Sequence, residues 1–251
     1  MLGCRFKGWS DEMNSRREFL ILAAGAAVLP RFLVEGEQVP DVLDHILLGC
    51  SDLERGIAFV EGQAGVRAAF GGVHPGRGTQ NALLSLGERH YLEIIAPDPK
   101  QAAIKESQSS VERMNLRELL EPRLVTWAAH PGDIVAFAEK LSKAGVVAAG
   151  PTPGSRKRPD GTVLQWKTLA LKEDAGGLLP FFIEWSTDSV HPSVDAPKGC
   201  TLVKFWVESP EPNELAKKIQ MAGLEVQVSP GERARLRARI AGPKGEMELS
   251  G

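Results

Sequence analysis

Apolar residues in this chain recur first at strand spacing and then at helix spacing, and that switch happens three times. The segments opening at Leu43 (LDHILLGCSDLERGIAFVEGQAGV), Leu124 (LVTWAAHPGDIVAFAEKLSKAGV) and Leu202 (LVKFWVESPEPNELAKKIQMAGL) each run an apolar strand into a polar or proline-containing turn and then a helix. Each helix is predicted to stop at an Ala-Gly pair, Ala64-Gly65, Ala144-Gly145 or Ala222-Gly223, because glycine takes up the left-handed conformation that ends a helix. The opening leucine and that glycine are 22, 21 and 21 residues apart, and the glycines are separated by 80 and 78 residues, which marks an internal repeat. Strand-like runs follow each helix: Asn81 to Leu86 and Tyr91 to Ala96, Val163 to Leu171 and Leu179 to Trp185, and Arg235 to Ala241 and Glu246 to Ser250. Each unit therefore reads as β-α-β-β-β, an α+β class, with a helical connector predicted over 100–120.

Composition narrows the function more than the fold. The chain of 251 residues is 43% hydrophobic and 25% charged, the ordinary globular range. Its formal charge is −2 and its bases are scattered, so it lacks the electrostatic footprint of a nucleic-acid binder. The densest basic run, Arg233, Arg235, Arg237 and Arg239, falls on one face of a strand and is expected to be a solvated or subunit-facing sheet surface. Cys4, Cys50 and Cys200 show no zinc spacing, and the latter two read as buried free thiols.

The N-terminus has another texture. Ser15-Arg16-Arg17-Glu18-Phe19-Leu20 leads into Phe19 to Leu29, a run apolar on all sides and too short for a permanent membrane span. This layout resembles a twin-arginine signal, with residues 1–34 as leader and Met13 as a candidate start. The resemblance implies handling by the twin-arginine (Tat) export machinery and a periplasmic location, or one on the outer face of the membrane. Ala24-Gly25-Ala26 has the form of a cleavage site, but Arg31-Phe32-Leu33 follows, so cleavage and retention as an anchor both stay open. Without residues 1–34 the chain loses five of its 30 bases and three of its 32 acids and carries −4.

Successive βαβββ units, together with His74-Pro75-Gly76, Gly78-Thr79 and Asn81, Tyr91-Leu92-Glu93, Arg158-Pro159-Asp160-Gly161, Phe181-Phe182-Ile183-Glu184-Trp185 and His191-Pro192, resemble the glyoxalase-like branch of the vicinal oxygen chelate superfamily. The resemblance covers residues 41–192, as two units at about 41–98 and 122–186, with 199–251 as a third βαβββ unit. It implies mixed curved sheets that pair around a cleft. The third unit would pack beside the other two or complete a sheet with another subunit, which makes a homodimer an expectation.

In such proteins metal ligands come from the first and last strands of paired units, which maps the set onto His45, Glu93, Thr126 and Glu184. His45, Glu93 and Glu184 are good ligands, suited to a divalent Mn, Fe, Ni or Zn. Thr126 departs from the pattern, leaving either three protein ligands or a site that binds an organic ligand directly. A carboxylate on an apolar strand is costly unless paired or coordinated, which draws notice to Glu93 and Glu184. His74 and Asn81 bound the glycine-rich HPGRGTQN stretch, with His74 either an acid/base group or substrate contact or else a turn residue, and with Asn81 and Thr126 as candidate substrate-binding residues. Arg158, in the insertion GSRKRPDGTVLQ, could bind a substrate carboxylate. The expected function is then a small-molecule enzyme of isomerase, lyase or dioxygenase type, in which a Lewis-acid metal chelates substrate oxygens while His74 or Glu184 moves a proton. The rival is a metal-free protein that sequesters an aromatic or drug-like molecule against Trp127, Trp166, Trp185, Phe181 and Phe182.

Overall fold

The computed structural model describes residues 39–101, 110–158 and 160–251. The expected leader over 1–34, residues 102–109 of the expected connector, and Pro159 lie outside the described residues. The first unit contains β1 (Leu43–Gly49), α1 (Leu53–Ala64), β2 (Ala69–His74), β3 (Thr79–Ser85) and β4 (Tyr91–Pro97). A short helix α2 (Ser110–Arg113) and a 3-10 turn (Leu116–Glu118) lead to β5 (Arg123–Ala129), α3 (Ile134–Lys143), β6 (Ala148–Lys157), β7 (Val163–Leu171) and β8 (Phe181–Trp185). After α4 (Pro192–Asp195) come β9 (Thr201–Ser209), α5 (Pro212–Met221), β10 (Val228–Pro230), β11 (Arg235–Gly242) and β12 (Gly245–Ser250).

The helices begin and end where local chemistry dictates. The Asp52 carboxylate accepts the Arg55 backbone N–H at 2.9 Å, and Asp133 accepts those of Val135 and Ala136, so two of the otherwise unpaired amides at α3 and one at α1 are satisfied. Gly65, Gly145 and Gly223 all have positive φ just past α1, α3 and α5.

The first two units form one mixed sheet in the order β2-β3-β4-β1-β5-β8-β7-β6, symmetric about the antiparallel β1/β5 seam. Within each unit the first and last strands pair in parallel, β1 with β4 and β5 with β8. The two outermost strands, β2 and β6, approach each other, so the sheet curls most of the way around a cavity. Two strands on this path, β2 and β6, escape a periodicity reading. The sequences AFGGVH and AAGPTPGSRK hold glycine and proline where a strand pattern wants β-branched residues, and both strands lie at edges, where such residues are tolerated. The GSRK expected as part of an insertion is the end of β6.

Residues 199–251 keep the element order of the other units but not their sheet order. β9 pairs in parallel with β10, the strand directly after its helix, and the sheet runs β10-β9-β11-β12, leaving β12 at an edge. This four-stranded sheet packs through one face onto α1 and β5, with Trp127 and Phe205 rings 5.1 Å apart. Ile46, Leu48, Leu92, Ile94 and Trp127 on the convex face of the large sheet thereby join Phe205, Leu236, Ile240 and Met247 in one core. The opposite face of β11 carries the basic stripe, where Arg235 and Arg237 pair with Glu208, and Arg237 and Arg239 pair with Glu248. Cys50 and Cys200 are buried free thiols, and burial pushes Cys50 up to about 12.

Candidate active site

The concave face encloses a cavity of about 830 Å³ whose wall includes His45, His74, Asn81, Glu93 and Thr126. Strand alternation puts Leu47, Tyr91, Glu93 and Ile95 inward, while their neighbours Leu92 and Ile94 enter the core behind. One irregularity matters. Between Leu43 and His45, β1 advances two residues while β5 advances only from Ala129 to Ala128, so Asp44 is the extra residue of a β-bulge. The bulge lets the adjacent side chains of Asp44 and His45 bond to each other, with His45 Nδ1 donating to Asp44 Oδ1 at 2.6 Å.

From there a string of polar groups crosses the sheet. His45 Nε2 lies 3.3 Å from Glu93 Oε2, Asn81 Nδ2 donates to Glu93 Oε1 at 2.7 Å, and Arg156 Nη1 donates to Asn81 Oδ1 at 2.6 Å. His74 approaches from the end of β2, its Nε2 3.6 Å from Glu93 Oε1 and 3.4 Å from Asn81 Nδ2. Assigning Nδ1 of His74 as donor to Thr79 Oγ1, 2.9 Å away, leaves the lone pair on Nε2, facing Glu93 and Asn81. At the far end, His191 Nε2 and Trp185 Nε1 each donate to Asp44 Oδ2 at 3.2 Å. Asp44, His45, Glu93 and Arg156 are 2%, 2%, 7% and 4% exposed, so water screens little of this string.

The electrostatics divide the two histidines. Burial alone would lower His45, but hydrogen bonds to Asp44 and Glu93, and their charges, outweigh it and raise the imidazole above its ordinary value. Burial alone would raise both carboxyls, yet His191 and His45 hold Asp44 far below the usual carboxylate range. The His45 bond and the charge of His74, with His45 and Asn81 assisting, hold Glu93 at about 2. His74 goes the other way. Burial lowers it, reinforced by the positive charges of Arg156, Arg77 and His45, and Glu93 opposes only in part. The surroundings thus favour the charged form of His45 between two ionised carboxylates and the uncharged form of His74 beside them.

Two expected site residues lie elsewhere. Glu184 is on the convex face: its Oε2 accepts the Ile134 backbone N–H at 2.7 Å, at the positive end of α3, and its Oε1 lies 3.4 Å from Lys167 Nζ. Phe181, Ile183 and Trp185 are the β8 residues that line the cavity. Alignment by spacing is off by one residue in β8, and with a period of two that flips the side chain to the other face. Arg158 pairs with Asp195 at the β6–β7 hairpin, outside the cavity wall. Of the aromatic residues expected to line a pocket, Trp166, Trp185 and Phe181 do so, whereas Trp127 and Phe182 are in the core. The groups missed by the sequence are Asp44, hidden by the bulge, and Arg156, hidden in a strand without alternation.

Paired βαβββ units curling around a polar cavity define the vicinal oxygen chelate type of protein. The chain belongs to the glyoxalase-like domain family, whose model matches residues 43–223. No curated protein matches it. Among solved structures, a hypothetical protein from Staphylococcus aureus is 18% identical over 83% of this chain and 84% of that one, with a TM-score of 0.60. Methylmalonyl-CoA epimerase from Mycobacterium tuberculosis is 21% identical over 62% of this chain and 95% of its own, with a TM-score of 0.43. A Streptomyces coelicolor methylmalonyl-CoA epimerase in complex with 2-nitronate-propionyl-CoA is 19% identical over 61% and 99%, also with a TM-score of 0.43.

Divalent metals are common in this superfamily, but the donors of this chain do not fit one. β5 offers only the Thr126 hydroxyl and β8 turns Ile183 and Trp185 inward, so the first and last strands of the two units bring only His45 and Glu93 to the cavity as strong donors, and these two face each other at 3.3 Å. Among the described residues, no three His, Cys, Asp or Glu side chains converge to hold an ion.

Proposed function

We propose that the cavity catalyses proton transfer on a small organic molecule, in the manner of an isomerase or lyase, with His74 as the general base. The observation that carries this reading is the placing of His74 and His45 on the two oxygens of one buried carboxylate in the cavity wall, His74 Nε2 3.6 Å from Glu93 Oε1 and His45 Nε2 3.3 Å from Glu93 Oε2, with burial favouring the neutral, basic form of His74 alone. Glu93 itself, at about 2, is too weak a base for the task, and an imidazole that burial keeps uncharged is better matched. The proton passes from substrate carbon to His74 Nε2, and the fixed charge of Glu93 stabilises the imidazolium that forms. The same imidazole can return the proton to a neighbouring atom, which is isomerisation, or retain it while a leaving group departs. His45 and Asp44 act as positioning residues that keep Glu93 ionised and in place. The Lewis-acid route through Mn, Fe, Ni or Zn is set aside because of the donor set.

A second reading, ligand sequestration without turnover, draws support from Trp166, Trp185 and Phe181 in the wall and from Thr126 in place of a strong ligand. One experiment separates the two. Deuterium uptake from D2O into phenylpyruvate and 2-oxobutyrate is followed by proton NMR, at concentrations shown by calorimetry to saturate the protein. Exchange beside the carbonyl is expected, falling roughly 100-fold in His74→Ala and Glu93→Gln. A bound probe that exchanges no faster than in buffer overturns the catalytic reading and leaves sequestration.

A further inference from the structure

Arg156 is a charged residue whose surroundings are incomplete. Its guanidinium is buried in the cavity wall, yet among the described residues no carboxylate stands within ion-pair distance of it. Nη1 is bonded to the neutral amide oxygen of Asn81, and Nε is buried with no partner. A buried cation without a counter-ion is expensive, and a native protein that keeps one has a use for it.

The fold goes to some length to hold it there. Gly72 on β2 has φ +134°, and a Cβ at that position would lie 3.0 Å from Arg156 Cδ and 3.2 Å from Cγ. The bare backbone of one edge strand is therefore the bed on which the arginine stem of the other lies. The field around it has the same sign. Arg77, Arg113, Arg123 and Arg235 also line the cavity, opposed there by Glu93 and Asp174, and Arg113 is depressed by burial with the charge of Arg77 adding to it. The neighbouring surface is aromatic. Gly154 shares a face of β6 with Arg156, and the indole of its cross-strand partner Trp166 covers it so closely that a Cβ would meet Nε1 at 2.4 Å.

We infer that Arg156 is the anion subsite of this cavity and that the molecule bound is an organic carboxylate with an aromatic or apolar body, its carboxylate on Arg156 and its body against Trp166. This inference rests on the proton-transfer reading only in placing the substrate in the same cavity. The ligand supplies the missing counter-ion, and the guanidinium, always charged, selects against neutral analogues of the same shape.

Titration calorimetry at low salt with phenylacetate and with the neutral isostere phenylacetamide tests this on the whole chain. Phenylacetate is expected to bind at least tenfold more tightly, Arg156→Gln to abolish that preference, Arg156→Lys to keep part of it, and Arg158→Gln, outside the cavity, to leave it unchanged. Each variant is checked for an unchanged circular dichroism spectrum and thermal transition, and Arg156→Lys carries the comparison if the glutamine variant does not fold. Equal affinity for the two probes, no binding of either, or a preference that survives in a folded Arg156→Gln or is undiminished in Arg156→Lys overturns the inference. Binding is read without turnover. Carboxylate preference in a chain that exchanges no proton retires the catalytic reading alone, and exchange on 2-oxo acids without that preference retires this one alone.

Discussion

Asp44 and His45 stand next to each other in the chain and bond to each other only because β1 is bulged between them. That detail governs what the residues reveal before folding. His45, Glu93 and Thr126 were legible from their places in the repeat, His74 and Asn81 from the glycine-rich stretch that they bound, and all five reach the cavity. Glu184 was legible as a carboxylate on an apolar strand but not as one facing outward, since one residue of register decides the face. Its position makes a clean test of role. Glu184→Gln is expected to cost about 0.5–1 kcal/mol in urea unfolding, from the lost charge at the start of α3, and to leave deuterium exchange within twofold. Loss of exchange in that variant would return Glu184 to the chemistry.

At the level of elements, the three strand-turn-helix openings and their glycine stops could be read directly, because helix periodicity and capping are local. β2 and β6 could not, being irregular edge strands held by what they touch across the cavity. The third unit shows the same limit: its element order follows from the sequence, but whether β9 pairs with β10 or β12 depends on tertiary packing. Phe205 on β9 anchors that packing against Trp127. Phe205→Ala is expected to destabilise the fold by about 3–5 kcal/mol in chemical denaturation, as deletion of a fully buried aromatic does. A loss under 1 kcal/mol would show that the small sheet contributes little to the common core.

For the whole molecule, α1, α3 and the small sheet pack against the large sheet from outside, and its concave face forms the wall of the cavity, with Arg235 and Gly251 of the third unit at that wall. The buried charges also make stability depend on pH with a defined sign. Asp44 and Glu93 lie below their unfolded values, so their contribution is full above about pH 4 and is lost as pH falls towards about 2 for Glu93. His45 lies above its unfolded value, so its contribution is full below about pH 6.5 and is lost as pH rises through the folded value. The difference in unfolding free energy between the wild type and Asp44→Asn is therefore expected to be largest between about pH 4 and 6.5 and to shrink on both sides. A difference that is flat with pH would mean that the Asp44–His45 pair is not ionised. The most direct test of the site is the titration of its histidines by NMR, with ring signals assigned from His45→Gln and His74→Gln. His45 is expected to lose its proton above the ordinary imidazole value and His74 below it, giving a neutral pH range in which one is charged and the other is not. Overlapping titrations, or the two in the reverse order, would contradict the assignment of His74 as base.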